Sequence, residues 1–314
     1  MIVTLTLNPS LDRTVELPFL ARGAVIRALA GHRDPGGKGV NVARALLANG
    51  AEARAVLPVG GRVGHQLVEL LEAEGVAMTA VEVGTETRSN LTLSEPDGTV
   101  TKVNEAGGAL TAADIERLTG AVIAAARPGD WVIACGRVPP FVPEDIYARL
   151  TTRLTAHGVR VGVDTSGPAL LQALAAGPAL VKPNRAELTE AVGREVRSLA
   201  DACEAATELR RLGAAAVLVS LGPDGAMLVD ADGVAHASCT VDVPRSSVGA
   251  GDCLLAGFLA AGARGEEALT TAVQWAAAAV ALPGSRIPSP ADIDGRVAQV
   301  RRDVDHEQLI SRTS

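Results

Sequence analysis

The chain has 314 residues, 47% of them hydrophobic, and is long enough to bury a core without disulfide bonds. Its formal net charge of -7 argues against a general nucleic-acid binder, because no basic surplus exists to neutralise phosphates. Four scattered cysteines without a CxxC pair indicate reduced thiols, and no stretch approaches the roughly 18 apolar residues of a membrane span. We therefore expect a soluble cytoplasmic protein that binds neither nucleic acid nor a membrane.

Short β-branched runs alternate with helical patterns along most of the chain. The predicted strands cover residues 2–7, 53–59, 131–134, 159–164, 180–182 and 216–220. The predicted helices cover residues 40–49, 63–74, 112–126, 143–157, 168–175, 199–212 and 252–262. Strands separated by helices predict βαβ units, which form a parallel sheet with helices on both faces.

Two segments, residues 12–29 and 87–104, interrupt this alternation with β-type sequence that has no intervening helix. The second contains LTLSEPDGTVTKV, in which a Pro-Asp-Gly turn joins two β-prone arms and predicts a hairpin. We expect the two segments to form a small β lid over the open ends of the strands. The remaining residues, 1–11, 30–86 and 105–314, form the predicted α/β core that binds nucleotide and sugar.

Three glycine-rich segments are candidates for holding phosphate, although none matches GxxxxGK[ST] or GxGxxG. In the first, PGGKGVNVARAL, glycines allow close approach of a ligand and a helix follows from about Val40. This pattern is typical either of a helix-initiating turn with a solvated lysine or of a sugar or phosphate cradle at a helix N-terminus.

The second segment, LVKPNRAEL, ends a strand and begins a helix. Asn184 is placed to cap that helix, and Glu187 three residues later is placed to complete a capping box. The alternative is that Glu187, directly or through water, helps hold a hydrated Mg²⁺, since this ion prefers oxygen ligands and retains waters.

The third segment, VGAGDCLLAGFLAAG, joins a tight glycine turn to an apolar helix. Gly249 and Gly251 permit a nest of N–H groups, to which the helix adds its positive end. Asp252 is then either an N-cap or a general base that accepts a proton from an attacking hydroxyl, while the N–H groups stabilise the migrating charge.

Taken in order, these segments resemble the phosphofructokinase B family of ribokinase-like sugar kinases. The matching motifs are TLNPSLD (6–12), GGKGVNVARAL (36–46), TRSN (87–90), VKPNRAEL (181–188), VSLGPDGAML (219–228) and VGAGD (248–252). The TLNPSLD, GGKGxN and KVNEAGG segments look most like the branch that includes 1-phosphofructokinases and tagatose-6-phosphate kinases. The resemblance implies a three-layer α/β fold with a mainly parallel sheet and a small β lid, through which homodimers often form.

The same resemblance implies roles for individual residues. Asp252 would be the general base, with Gly249, Ala250 and Gly251 forming the anion hole. The implied substrate-binding residues are Asp12, Gly37, Lys38, Gly39, Asn41, Arg88 and Asn90. The implied nucleotide-binding residues are Lys182, Asn184, Ser220, Gly222 and Gly225. Lys38 and Arg88 would face the phosphate already on the substrate, and Glu187 would hold Mg²⁺ through water.

One segment, ACGRVPPF, departs from the serine-glycine-serine turn and LPPG that are common in the family. Cys135 and Arg137 replace small hydroxyl residues, and Phe141 replaces the glycine. Arg137 either adds a third cation at the sugar phosphate or fills the pocket and alters substrate choice.

The implied activity is ATP- and Mg²⁺-dependent phosphorylation of fructose 1-phosphate to fructose 1,6-bisphosphate. Tagatose 6-phosphate and fructose 6-phosphate are alternative substrates. A catalytically silent sugar or nucleotide sensor is the alternative of another class.

Overall fold

The computed structural model describes residues 1–304 and 308–311, which form a large mixed sheet, a separate small sheet and flanking helices. The strands are β1 Ile2–Thr6, β2 Ser10–Glu16, β3 Ala30–Gly36, β4 Ala53–Val59, β5 Met78–Glu82, β6 Arg88–Ser94, β7 Val100–Asn104, β8 Trp131–Cys135, β9 Arg160–Asp164, β10 Leu180–Val181, β11 Val217–Ser220, β12 Ala226–Asp230, β13 Gly233–Cys239 and β14 Ala298–Arg301. The α-helices are α1 Lys38–Ala48, α2 Gly61–Ala73, α3 Ala112–Ala125, α4 Ile146–Thr155, α5 Pro168–Leu174, α6 Arg185–Val192, α7 Leu199–Arg211, α8 Ala250–Ala260, α9 Gly265–Val280 and α10 Pro290–Ile293.

The large sheet has the strand order β14-β13-β12-β11-β10-β9-β8-β1-β4-β5. The seven neighbouring strands β11, β10, β9, β8, β1, β4 and β5 run parallel to one another. Ile2 of β1 is aligned with Ala53 of β4 on one side and with Trp131 of β8 on the other. β12, β13 and β14 add antiparallel to the far edge. All five residues of β1 are buried, as expected for a strand that has helices on both faces.

Helices cover both faces of this sheet and make three layers, as the sequence predicted. On one face, the five helices from α3 through α7 pack against the sheet in one apolar cluster, which includes Leu118, Tyr147 and Leu209. On the other face, α1, α8 and α9 pack through residues such as Leu46 and Phe258, and α2 extends this layer over β4. Ligands of open parallel sheets bind outside the carboxyl ends of the strands, so the fold points to that edge.

The small sheet has the order β3-β2-β6-β7. β6 and β7 form the predicted antiparallel hairpin, and β2 pairs with β6 in parallel, with Asp12 beside Asn90. The predicted first lid segment, 12–29, requires correction, because β2 begins at Ser10 and its antiparallel partner β3 lies at 30–36. The sequence of β3, AGHRDPG, lacks β-branched residues, so only its pairing with β2 identifies it as a strand.

Several elements differ from the prediction at their ends. α4 begins at Ile146 instead of 143, after an irregular segment in which Phe141 has a φ of 66°. α8 begins at Ala250, two residues before the predicted start, because Gly249 is its N-cap. No helix within the described part of the chain is both long enough and apolar enough to span a membrane.

Candidate active site

Charged side chains from four elements meet at the carboxyl edge of the large sheet. Asp164 ends β9, Lys182 follows β10, Glu187 lies in the first turn of α6, and Lys38 begins α1. The Lys38 Nζ donates to Asp164 Oδ1 at 2.7 Å and to Glu187 Oε1 at 3.1 Å. The Lys182 Nζ forms an ion pair with Asp164 Oδ2 at 3.2 Å. Residues far apart in sequence therefore form one network of alternating charge.

Asp252 lies beside this network in the first turn of α8. Its side chain does not cap the helix, because the N-cap is Gly249, whose φ of 76° requires the left-handed conformation that glycine adopts readily. The carboxylate is 8% exposed and its Oδ2 accepts a hydrogen bond from Asn41 Nδ2 at 2.8 Å. Burial, with a further contribution from the negative charge of Asp164, raises the pKa of Asp252 to about 6. A carboxylate tuned toward neutral pH is suited to accept a proton.

Glu187 and Asn184 do form the capping box. The Glu187 N–H donates to Asn184 Oδ1 and the Asn184 N–H donates to Glu187 Oε2, each at 2.9 Å. Because the cap uses only Oε2, Oε1 is available to accept the hydrogen bond from Lys38. Asn184 also pairs with Ser220 in a β-bridge, which brings the end of β11 next to the start of α6.

Asp164 is the charged residue of this network that the sequence analysis missed. It is fully buried, which favours a raised pKa, yet the nearby Lys182 and Lys38 hold the pKa of Asp164 below its usual value. Burial by itself would lower the pKa of Lys38, but the negative charges of Asp164 and Glu187 together raise the pKa of Lys38 above its usual value. Both groups are therefore ionised and depend on each other.

Polar groups of the lid form a second cluster. Asn90 Nδ2 donates to Asp12 Oδ1 at 2.8 Å, and the Ser10 hydroxyl donates to the same oxygen at 2.7 Å. A Cβ on Gly36 would lie 2.5 Å from the Asp12 carboxylate, so glycine is needed there for the chain to pass. Asp12 and Asn90 are therefore held together next to Gly36, where β3 ends shortly before α1.

Basic residues gather around the lid cluster. Arg88 donates to the carbonyl oxygens of Glu105 and Asn8, at 2.9 and 3.1 Å, and its Nε is buried without a partner among the described residues. Burial lowers the pKa of Arg88, and the neighbouring guanidinium of Arg137 lowers it further, although Asp12 and Glu105 oppose this. Arg88 lines a cavity of about 400 Å³ together with Glu86 and Glu105, and its guanidinium is the basic group of that lining.

The predicted glycines differ in what surrounds them. A Cβ on Gly225 would lie 2.0 Å from the carbonyl oxygen of Ala237, and one on Gly39 would lie 2.5 Å from Thr6 Oγ1. These two glycines are therefore required by close packing. In contrast, a Cβ on Gly251 would lie 3.5 Å from Lys182 Nζ, so the lysine ammonium lies over the N-terminus of α8.

Residues 5–292 match the model of the pfkB family carbohydrate kinases. The chain belongs to this family. It is 37% identical over 297 residues to a 1-phosphofructokinase of Haloferax volcanii, covering 93% of this chain and 95% of that protein. It is also 36% identical over 312 residues to the ATP-dependent 6-phosphofructokinase isozyme 2 of Escherichia coli, covering 96% and 99% of the two chains.

The crystal structure of Escherichia coli phosphofructokinase-2 in complex with substrates and products is similar to the whole fold of this pfkB kinase. The two share 36% identity with a TM-score of 0.88, covering 93% of this chain and 96% of that chain. A structure of Arabidopsis thaliana ribokinase, at 22% identity and a TM-score of 0.74, supports the fold alone. The predicted resemblance and the predicted fold class are confirmed.

The unusual segment of this pfkB kinase lies between β8 and α4. Cys135 is fully buried at the end of β8, and its side chain packs next to Gly39. Phe141 is 91% exposed and has a φ of 66°, in the left-handed region that a glycine adopts without strain. Phe141 therefore keeps the glycine-like backbone without filling the site, whereas the exposed Arg137 lies near Arg88.

Lys38 has different neighbours from those the sequence suggested. The prediction has it facing the substrate's phosphate together with Arg88, but its ammonium contacts the two carboxylates of the core. Arg88 instead donates to the carbonyl oxygen of Glu105. The role of Lys38 at the substrate's phosphate stays a prediction.

Proposed function

We propose that this carbohydrate kinase transfers the terminal phosphoryl group of ATP to a primary hydroxyl of fructose 1-phosphate and forms fructose 1,6-bisphosphate. The observation that carries the proposal is the buried Asp252 at the N-terminus of α8, hydrogen-bonded to Asn41 and adjacent to the network of Lys38, Asp164 and Lys182. A proton acceptor and an anion-stabilising helix end lie next to each other there.

In this proposal Asp252 accepts the proton of the attacking hydroxyl as that oxygen forms its bond to phosphorus. Asn41 orients the carboxylate and stabilises its charged form. The N–H groups at Gly249, Ala250 and Gly251, together with Lys182, stabilise the charge on the phosphoryl group as it moves. The chain thus contributes chiefly positioning and charge stabilisation, with the lid excluding water.

The phosphate already present on the acceptor binds Arg88 and Arg137. Arg88 lies on β6 of the lid, where Asp12 and Asn90 would hold the sugar hydroxyls, and Arg137, in the loop after β8, is close enough to lower the pKa of Arg88. A dianionic phosphate would relieve the repulsion between the two arginines and give the buried Nε of Arg88 a partner. A sugar without phosphate would leave these cations without a counter-charge.

The nucleotide binds along the ends of β10 and β11, with Lys182, Ser220 and Gly222 near its phosphates. The oxygen donors Asp164 and Glu187 fit Mg²⁺, which prefers such ligands and retains water. Asp164 Oδ2 pairs with the Lys182 ammonium at 3.2 Å, while Asp164 Oδ1 and Glu187 Oε1 both face the ammonium of Lys38, a cation whose place a metal could take. Bound there, Mg²⁺ would neutralise charge on the nucleotide phosphates.

The similarity to the 6-phosphofructokinase isozyme 2 of Escherichia coli favours fructose 6-phosphate as the second candidate substrate. The experiment is a steady-state assay of ADP release with fructose 1-phosphate, fructose 6-phosphate, tagatose 6-phosphate, fructose and ribose. The highest kcat/KM is expected for fructose 1-phosphate, with ³¹P NMR identifying the product. A preference for an unphosphorylated sugar would contradict the proposal, and ATP binding without turnover of any sugar would indicate a silent sensor.

The lid also carries a group of exposed apolar residues that would suit a homodimer contact. They are Phe19, Leu20, Val25, Leu29, Val100 and Val103. Exposed apolar area of this kind is typical of an interface between proteins. Light scattering after size-exclusion chromatography should give a dimer for the native chain and a monomer for Val25→Asp, and a native monomer would contradict the assignment.

We assign the enzyme to the cytoplasm.

A further inference from the structure

The chain contains only three lysines: Lys38 and Lys182 contact Asp164 at the carboxyl edge of the large sheet, and Lys102 lies on β7 of the lid. The other basic side chains are arginines, apart from five histidines. An arginine is bulky and planar, whereas the lysine ammonium is a compact point charge on a flexible stem. Lys38 and Lys182 therefore supply two compact cations to the same buried acid.

Lys38 places its compact charge between two carboxylates. Its Nζ lies 2.7 Å from Asp164 Oδ1 and 3.1 Å from Glu187 Oε1, so one ammonium binds both acids. The two acids are fixed independently of it, since Glu187 Oε2 belongs to the capping box and Asp164 Oδ2 lies by Lys182. The Lys38 side chain is 33% exposed, whereas that of Asp164 is fully buried. The carboxylates are rigid and the lysine is the part that can move.

Two carboxylates held this way form an incomplete site for a divalent cation. The described part of the chain contains no cluster of three or more His, Cys, Asp or Glu residues able to hold a metal ion. Mg²⁺ requires six ligands, commonly one or two carboxylates completed by water and by substrate phosphates. A metal bound by Asp164 and Glu187 would therefore need a nucleotide to complete its shell, and the ammonium of Lys38 occupies the same oxygens.

We infer that Lys38 is a tethered cation that competes with the divalent metal for Asp164 and Glu187, and that entry of metal and nucleotide together displaces it. This inference rests on the proposed function. In the free protein, Lys38 balances the two acids and opposes binding of a metal without nucleotide. After displacement, the ammonium lies free to approach the phosphate oxygens, near Asp252 and the N-terminus of α8.

The first test measures Mn²⁺ binding in the absence of nucleotide, by the electron paramagnetic resonance signal of the free ion. Lys38→Met should bind Mn²⁺ at least about five-fold more tightly than the native chain, because a unit positive charge close to the ion is removed. Lys38→Arg, which keeps the charge, and Lys102→Met, which removes a lysine on the lid, should stay within about two-fold of the native value. Equal or weaker binding by Lys38→Met would overturn the inference.

The second test uses the native chain and does not depend on whether a variant folds. Protein labelled with ¹³C-lysine gives signals from only three lysine side chains, and Lys38→Arg identifies the Lys38 signal. Adding Mg²⁺ with ADP should shift the Lys38 ε-CH₂ resonance, whereas ADP with a chelator should shift it less. An unchanged Lys38 resonance with Mg²⁺ and ADP would overturn the inference.

The failure of this inference and the failure of the proposed function give different results. If the sugar assay detects turnover of fructose 1-phosphate while neither test detects competition at Lys38, only the inference is wrong. If turnover is absent for every sugar phosphate, the proposed function is wrong whatever the metal measurements give.

Discussion

Asn41 donates a hydrogen bond of 2.8 Å to Asp252, although 211 residues separate them in the chain. The contact joins the first glycine segment to the third, because α1 and α8 pack side by side on the same face of the sheet. Asn41 is 6% exposed, so its amide is committed to this interaction. The hydrogen bond favours the ionised carboxylate and partly offsets the effect of burial on the pKa of Asp252.

The first prediction concerns the pH dependence of catalysis. Asp252 must be ionised to accept a proton, so kcat should fall as the pH drops through about 6, the pKa of Asp252. Asn41→Leu removes a donor to the ionised form, so the pKa of Asp252 should rise and the acidic limb should move upward by roughly one pH unit. Asn49→Leu, which removes an amide at the other end of α1, should leave the limb in place. A limb unmoved in Asn41→Leu would show that the contact does not tune Asp252.

The second prediction concerns stability. The folded-state pKa of Asp252 is about 6 against a usual 3.8, so the folded protein gains stability while this carboxyl is protonated and loses it as the pH rises through 6. The full loss is about 3 kcal/mol, since each pKa unit corresponds to about 1.4 kcal/mol. Asp252→Asn has no carboxyl to ionise and avoids this loss. The free energy of unfolding of the variant minus that of the native chain should therefore be larger at pH 8 than at pH 5, by at least about 1 kcal/mol. Urea unfolding at both pH values measures the difference, and an equal difference at the two would contradict the assigned pKa.

A third prediction distinguishes the lid arginines from the rest of the site. Arg88→Ala should raise KM for the sugar phosphate by roughly ten-fold or more and change kcat much less, because the contact exists before and during transfer. Arg153→Ala, which removes an exposed arginine from α4, is the matched control and should change neither constant. A change in KM for ATP alone would show that Arg88 serves the nucleotide.

Arg137 is tested separately, because the sequence left two roles open for it. Arg137→Ser restores the small hydroxyl residue common in the family. If Arg137 is a third cation for the phosphate, KM for fructose 1-phosphate should rise several-fold, because the variant loses one exposed charged contact with the phosphate. If KM is unchanged and the preference among the sugar phosphates broadens, the arginine instead restricts the pocket.

The sequence was sufficient to predict the layers and the main glycine segments. Strong alternation of buried strands with helices predicted the parallel sheet, and the carboxyl ends of its strands gather these segments at one edge. The lid boundaries were less accurate, because β3 consists of residues that prefer no strand by themselves and pairs only where β2 passes. Local composition therefore predicted the core better than the small sheet.

The site was predicted incompletely for a different reason. Asp164 follows a buried strand and precedes a turn, a position that many structural acids share, so its importance emerges only when Lys38 and Lys182 converge on it. The partner of Lys38 was likewise hidden, since 149 residues separate it from Glu187. The capping box uses Oε2 of Glu187 and the contact with Lys38 uses Oε1, so the cap predicted from the sequence is present while the role of Glu187 toward Mg²⁺ stays a prediction.

The most direct test of the central claim is the turnover of fructose 1-phosphate by Asp252→Asn. General-base catalysis contributes on the order of 10²–10⁴-fold, so kcat should fall by at least about 10²-fold, while KM for fructose 1-phosphate and the affinity for ATP change little. The matched control is Asp114→Asn, which replaces a buried acid in the capping box of α3, remote from the transfer chemistry. Turnover of Asp252→Asn within a few-fold of the native value would contradict the assignment of Asp252 as the base, and a loss of at least 10²-fold with retained binding of both substrates is the result we expect.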